Sequence, residues 1–258
     1  MAKGSTKPRV KLYGFVLSHP VTTVRLALAR KGIDFEQVNL TVGLHAAQLR
    51  ALGFPRGTVP AIKLDGQKIQ GSREIMRALE ELQPEPRLFP ADPSLRIAVE
   101  DAERWGEETL QPIPRRLFRY IASANPSIRE GVAEREGLPA PKLAARATAP
   151  LSKRMAAKVG ADATQVRADM SALPGLVRRV EQMLKDGVIG GEEPNAADFQ
   201  IAPTIRVLMN MGDTSPLLVD TPVAEWARGL VPDYPADLPA KLPAEWTAPI
   251  REAAAQRA

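Results

Sequence analysis

Ser18 stands where a strand-like apolar run gives way to a helical one, and a hydroxyl at such a junction can do chemistry. Leu12, Gly14 and Val16 alternate with Tyr13, Phe15 and Leu17 in a β-prone stretch. Ser18-His19-Pro20 breaks the run. From Val21 the period changes, and Val21, Val24 and Leu28 fall on one helical stripe with Leu26 and Ala27 offset. Ser18 is a good N-cap residue and Pro20 suits a first helical turn. A strand-to-helix elbow offers free backbone N–H groups and the positive end of a helix dipole. That environment suits an anion, a thiolate included. The plainer role for the hydroxyl is to cap the helix.

The bulk properties narrow what such an elbow serves. The chain has 258 residues, enough for one large domain or two small ones. Hydrophobic residues make up 44% and charged residues 25%, so a core can be built; aromatics are only 5%, so that core is mainly Leu, Val, Ile and Ala. The net charge of +5 arises from 35 Lys+Arg against 30 Asp+Glu, mixed along the chain with no block of like charge for a nucleic-acid arm. The abundance of Arg, Ala and Pro suggests a GC-rich bacterial source. There is no cysteine, which excludes disulfides, cysteine metal sites and a thiol nucleophile of the protein's own. The two histidines, His19 and His45, are too few for most histidine metal sites. No signal-peptide pattern and no run of about 18 apolar residues is present, so a cytoplasmic protein without membrane contact is expected.

The elements that must position the elbow follow in order. Residues 1–9 read as a polar lead-in. The first helix ends near Lys31-Gly32. Ile33 to Leu40 alternates as a second strand, and strand, helix and strand make a parallel βαβ unit. A short helical pattern runs from Leu44 to Leu52, and Phe54-Pro55-Arg56-Gly57 is a turn. Two further strands flank Asp65-Gly66, a hairpin turn, and Ser72 opens a helix with Ile75, Met76, Leu79 and Leu82 on one face. The order βαβ-α-ββα is that of a thioredoxin-like domain. Gln83 to Pro93 reads as a linker. Strand signals then almost vanish. Leu95 to Ala124 is helical, with Ile97, Trp105 and Leu110 as core candidates and Pro112 and Pro114 as a kink or break. Residues 125–150 are punctuated by Gly and Pro and read as a surface excursion. A long amphipathic helix spans Thr164 to Asp186, and Asn195 followed by Asp198 makes a capping box for another. One or two short helices are expected after 213.

A thioredoxin-like domain followed by an all-helical one resembles the cytosolic glutathione transferase family. Four segments carry the likeness at fixed spacing. Ser18-His19-Pro20-Val21-Thr22-Thr23-Val24 looks like the elbow of the serine-type classes, theta-, delta- or phi-like, in a divergent bacterial member. Gly43-Leu44-His45 looks like the segment whose His binds the glycine carboxylate of glutathione. Phe54-Pro55-Arg56-Gly57-Thr58-Val59-Pro60 resembles Asn-Pro-x-Gly-x-Val-Pro before a cis proline, and Gly71-Ser72-Arg73-Glu74-Ile75 resembles Glu/Gln-Ser-Arg-Ala-Ile, which holds the γ-glutamyl end. Asn195 to Asp198 matches the capping box of the family's helical domain. The resemblance implies an α/β thioredoxin-like domain over 9–84, a linker over 85–94 and an all-helical domain over 95–258 with an insertion near 125–160. It implies a homodimer, and glutathione or another low-molecular-weight thiol as cosubstrate with no metal.

It also implies residue roles. Ser18 becomes the donor that stabilises a thiolate. A cis Val59–Pro60 bond would turn the Val59 N–H and C=O toward the cysteinyl part of the thiol. Ser72 would take the γ-glutamyl carboxylate at a helix start. His45 either binds a carboxylate or is solvated, and Arg73 joins the thiol site or the surface. Tyr13 is the rival hydroxyl, but the tyrosine-type classes carry Tyr one position later, at Gly14, and a one-residue offset points to the other face of a strand. His19 is expected to face solvent. Trp105, Phe118 and Tyr120, with Leu110, Arg115 and Arg119 nearby, are candidates for the electrophile's pocket. Two positions depart from the pattern: Gly71 for Glu/Gln, and Phe54 for Asn. Glu74 lies further along the helix and is not expected to substitute. The function implied is activation of a thiol for attack on an electrophilic small molecule, with a non-catalytic ligand-binding or protein-interaction module as the alternative. A thiol-disulfide oxidoreductase fails without cysteine, and nucleic-acid binding lacks a concentrated basic helix.

Overall fold

Residues 8–135, 137–235 and 237–257 are described by a computed structural model, so the expected lead-in at 1–9 falls mostly outside them. Strand β1 (Val10–Gly14) buries Leu12 on one face and Tyr13 on the other because it lies inside the sheet, while Lys11 stays exposed. It pairs parallel with β2 (Phe35–Asn39) and antiparallel with β3 (Ala61–Leu64), and β3 pairs antiparallel with β4 (Gln67–Gln70), so the sheet order is β2-β1-β3-β4. Leu12 joins Val21, Val24 and Leu28 of α1 (His19–Arg30) and Ile75, Met76 and Leu79 of α3 (Ser72–Leu82) in the main core. Tyr13 points the other way, into a small cluster with Leu40, Leu49 and Phe54 beneath α2 (His45–Ala51). The hairpin turn has positive φ at Asp65 (47°) and Gly66 (96°), as a tight two-residue connection requires. Leu82, expected on the buried face, is exposed at the last turn of α3.

The segment after α3 is fastened rather than loose. The fully buried Lys31 Nζ, at the end of α1, pairs with Glu80 and donates to the carbonyls of Gln83 (2.6 Å), Pro84 (3.2 Å) and Pro86 (2.7 Å).

The rest of the chain is helical. Helix α4 (Pro93–Trp105) passes into a wide turn at Gly106–Leu110 and then α5 (Pro112–Ala124), which is the break expected from Pro112 and Pro114. A Cβ on Gly106 would stand 2.9 Å from Ile201 Cγ1, so the turn takes the close approach of α10 (Ala196–Met209). Ile97 is a correction: it is 62% exposed, because Val99, Ala102 and Trp105 form the buried stripe of α4 and Ile97 falls off it. The described residues of 125–150, expected as a surface excursion, are mostly exposed or half-buried and are largely helical. They hold helices α6 (Pro126–Arg135) and α7 (Pro141–Ala147) and the start of α8 (Ala149–Lys158), and α8 packs on α5. Proline at a first turn starts a helix as readily as it stops one, since its missing N–H would be unpaired there anyway. Helices α9 (Ala163–Lys185), α11 (Pro222–Leu230) and α12 (Ala248–Ala255) complete the layer around α10. The capping box at α10 is formed: Asn195 Oδ1 accepts from the Ala197 (2.9 Å) and Asp198 (3.3 Å) amides, and Asp198 accepts from the Asn195 amide at 2.8 Å. Among the described residues no helix is long and apolar enough to cross a membrane.

Candidate active site

The elbow is built by three consecutive residues held from different directions. Ser18 takes the N-cap position of α1 with extended backbone (φ −87°, ψ 109°). Its carbonyl accepts from the amides of Val21 and Thr22, both at 2.9 Å, which starts the helix. Its hydroxyl makes no capping bond and finds no other partner among the described residues. The capping role is therefore set aside, and the donor is left at the positive end of a twelve-residue helix. On one side, the carbonyl of Leu17 accepts a 2.6 Å hydrogen bond from the buried Tyr234 hydroxyl. On the other, the His19 ring is buried, not solvated, with Nδ1 3.0 Å from Thr204 Oγ1 of α10. Burial, with a smaller push from Arg115, brings the His19 pKa down to about 3, so this imidazole is neutral in the native state. Gly14 explains why no hydroxyl comes from the strand, because a side chain there would collide with Val21 of α1. Tyr13 is occupied elsewhere, edge-on to Phe54 with centroids 5.3 Å apart, which also gives the departure at Phe54 its reason.

A second group of candidates lies along the sheet edge and the start of α3. The Val59–Pro60 bond is cis, as expected, and neither the N–H nor the C=O of Val59 is paired among the described residues. The loop before it is clamped by Gln70, a residue that sequence reading passed over. Gln70 Oε1 accepts from the Arg56 amide (2.8 Å), and Nε2 donates to the carbonyls of Arg56 (2.7 Å) and Thr58 (3.0 Å). Ser72 is 1% exposed, and its buried hydroxyl has no partner. An orphaned hydroxyl at the first residue of a helix is costly unless something else bonds it. A side chain built on Gly71 would overlap the Glu74 carboxylate, so that carboxylate lies in the space belonging to position 71. Gly71 is also held at φ +103°, where an L side chain is strained. Arg73 turns toward the helical part, 3.5 Å from Glu103, 3.6 Å from Glu107 and 3.8 Å from Glu108. A pocket of about 240 Å³ opens here, lined by Arg73, Glu74, Arg77 and Glu107.

The facing wall belongs to α5 and α8. His45 is half-buried at the start of α2, edge-on to Phe15 with centroids 5.2 Å apart, and its Nδ1 is buried without a partner. Burial lowers its pKa first, and the charges of Arg119 and Lys158 lower it further. Arg115 and Arg119, one turn apart on α5, form no ion pair with any described residue, whereas Arg116 between them is gripped by Asp169 through two bonds of 2.6 Å. Burial lowers both pKa values, and each feels a neighbouring arginine; only Glu107 acts on Arg115 in the opposite sense. Arg119 Nη1 touches Met155 Sδ of α8 at 3.5 Å, and its guanidinium lies 5.8 Å from the Phe118 ring. The ring contacts of Trp105 and Tyr120 are with Arg179 (4.7 Å) and Trp246 (5.6 Å), so both serve the packing of the helical layer. No cluster of metal-ligating side chains occurs among the described residues.

The site thus places the Ser18 hydroxyl at the first elbow of a thioredoxin-like sheet set against a helical layer. Residues 12–87 match the family model described as glutathione S-transferase, N-terminal domain. The chain is 42% identical over 92 residues to maleylacetoacetate isomerase of Mus musculus, covering 34% of this chain and 43% of that one. It is 36% identical over 110 residues to a zeta-class glutathione S-transferase of Euphorbia esula, covering 42% and 48%. The chain thus spans about half the length of the curated relatives it matches. The whole chain shares the fold of a glutathione transferase from Populus trichocarpa (TM-score 0.60, 20% identity, 95% of this chain and 99% of that one). It shares it also with a glutathione S-transferase from Rhodospirillum rubrum F11 (TM-score 0.56, 21% identity, 93% and 98%).

Proposed function

We propose that this protein activates a small thiol, glutathione or a close analogue, for attack on an electrophilic small molecule. The free Ser18 hydroxyl at the N-terminus of α1 carries the reading. A thiol starts near pKa 8.5, and a hydrogen-bond donor beside a helix N-terminus favours its ionised form. Ser18 donates to the thiolate and removes no proton. The thiolate sulfur then forms the new bond to carbon, and the displaced pair leaves with a leaving group or takes up a proton. The unpaired Val59 backbone suits the extended peptide of such a thiol, and the orphaned Ser72 hydroxyl suits a carboxylate. Glu74, beside Gly71, suits the ammonium of the same end.

The facing wall favours a carboxylate-bearing electrophile. The exposed Arg115 and part-buried Arg119 form no ion pair among the described residues, and Arg119 and Lys158 act on His45, so this side carries an excess of positive charge that only Glu107 offsets at Arg115. A maleyl-type acid, such as the name of the mouse relative denotes, has this chemistry. We further propose that the chain is a member of this family and acts as a cytoplasmic homodimer, for which light scattering reading twice the 28.0 kDa chain mass is the check.

Isothermal calorimetry with glutathione tests the reading. Saturable binding that Ser72→Ala weakens about tenfold supports it. Ser18→Ala is expected to leave affinity nearly unchanged while raising the pKa of the bound thiol, read by thiolate absorbance against pH. Absence of binding to any small thiol favours the second reading, a non-catalytic module on the same fold.

A further inference from the structure

Both neighbours of Ser18 are held by the helical part of the chain, and Ser18 itself is held by none of it. Tyr234, 217 residues away, bonds the Leu17 carbonyl at 2.6 Å, and Thr204 meets His19 Nδ1 at 3.0 Å. We infer that Tyr234 and Thr204 are positioning residues that clamp the elbow from either side and aim the Ser18 hydroxyl at the bound thiol. The inference rests on the reading of Ser18 as a thiolate donor.

The clamp has one frame. Thr204 lies on α10, and the strap that carries Tyr234 is fastened to the same helix. Arg206 donates to the carbonyls of Val231 (2.7 Å) and Pro232 (3.0 Å), and Asn210 Nδ2 donates to the carbonyl of Tyr234 at 3.0 Å. Beyond Tyr234 the Leu238 amide donates to the Asn210 carbonyl (2.9 Å), and the Leu238 carbonyl accepts from Gly212 (2.8 Å). Lys241 and Leu242 amides then reach Asp213 at 3.0 and 3.1 Å. Helix α10 also lies along α1, the helix that Ser18 begins. Tyr234 and Thr204 are 8% and 1% exposed, so neither bond competes with water.

The chemistry gives the clamp its purpose. Fixing the Leu17–Ser18 peptide and the first side chain of α1 leaves the Ser18 Cα–Cβ bond one direction, so Oγ is limited to the few staggered positions about that bond. A donor that shifts by an ångström loses most of its preference for the charged form. Groups suited to holding a thiol, Val59 and Ser72, come from residues outside this clamp. Holding the thiol and ionising it are thereby assigned to different parts of the chain.

The test compares Tyr234→Phe, Thr204→Val and Thr204→Ser with the wild type and with Ser18→Ala. The readouts are the pKa of bound glutathione, by thiolate absorbance, and its affinity, by calorimetry. Tyr234→Phe and Thr204→Val are isosteric. Each is expected to lower the thiolate fraction at pH 6.5 about threefold while affinity stays within about twofold, and Thr204→Ser to restore the wild-type fraction. An unchanged thiol pKa in both isosteric variants, with the pKa raised in Ser18→Ala, overturns the clamp and leaves the Ser18 reading intact. An unchanged pKa in Ser18→Ala itself, or no glutathione binding by the wild type, overturns the reading and the clamp with it.

Discussion

Arg77 of α3 grips Glu103 of α4 through two hydrogen bonds of 2.9 and 2.6 Å, and the Glu103 side chain is completely buried between the two parts of the molecule. Burial pushes the Glu103 carboxyl up, and Arg77 and Arg73 pull it back. Removing one partner of such a pair strands the other in a low-dielectric site. Arg77→Met is expected to cost about 3 kcal/mol of stability by urea denaturation, part of the loss being limited by Arg73. A loss below about 0.5 kcal/mol contradicts this role, since exposed pairs fall in that range.

His19 makes stability depend on pH. Its native pKa is about 3 and its ordinary value is 6.5. The unfolded chain therefore binds a proton below pH 6.5 that the native state refuses down to about pH 3. Stability is full above 6.5 and falls as the pH drops through that window. Between pH 7 and 5 the loss from His19 alone is about 2 kcal/mol. His19→Gln is expected to remove that part of the pH dependence in urea denaturation at the two pH values. The raised carboxyls of Glu103 and Asp198 act in the opposite sense in both proteins, so the difference between the two isolates His19.

Arg115 and Arg119 should act on substrate charge. Chloroacetate and chloroacetamide both lose chloride as the thiolate sulfur bonds to carbon, and they differ in one negative charge. With each rate divided by its uncatalysed value, Arg115→Gln/Arg119→Gln is expected to lower the preference for chloroacetate about tenfold or more in kcat/KM. Equal losses for both electrophiles would show that the pair supports packing and not charge recognition.

Gly71 and Glu74 share one space. Gly71→Ala places a methyl group on the Glu74 carboxylate at a φ of +103° and is expected to cost about 2 kcal/mol or more in thermal or urea unfolding. Adding Glu74→Ala should recover the steric part and leave the backbone part, which a double-mutant cycle separates. Additive effects would mean that Glu74 moves aside freely.

The sheet and its helices were legible because local signals agreed: alternation at β1, the Asp65-Gly66 turn and the cap at Asn195 each concern residues a few positions apart. The helices within 125–150 were not legible, because Gly/Pro punctuation does not say whether a proline starts a helix or stops one. The elbow was legible as a place, and the fate of its hydroxyl was not, since capping is decided by geometry. Tyr234 and Thr204 left no trace in the sequence, as neither stands in a motif and their partners are 217 and 185 residues distant. Sequence spacing puts Glu74 three residues along the helix from Gly71 and does not show that its carboxylate, bonded by Arg56 at 3.3 Å, lies where a side chain at 71 would stand.

The buried ammonium of Lys31 limits which motions the molecule has. It holds Glu80 and the carbonyls of residues 83, 84 and 86, the very segment about which two domains would otherwise swing. Parting that segment from the end of α1 would break the hydrogen bonds of Lys31 to three carbonyls, so the two are held as one piece. The loop before α2 is close-packed too, since a side chain at Gly43 would press on Leu151 of α8.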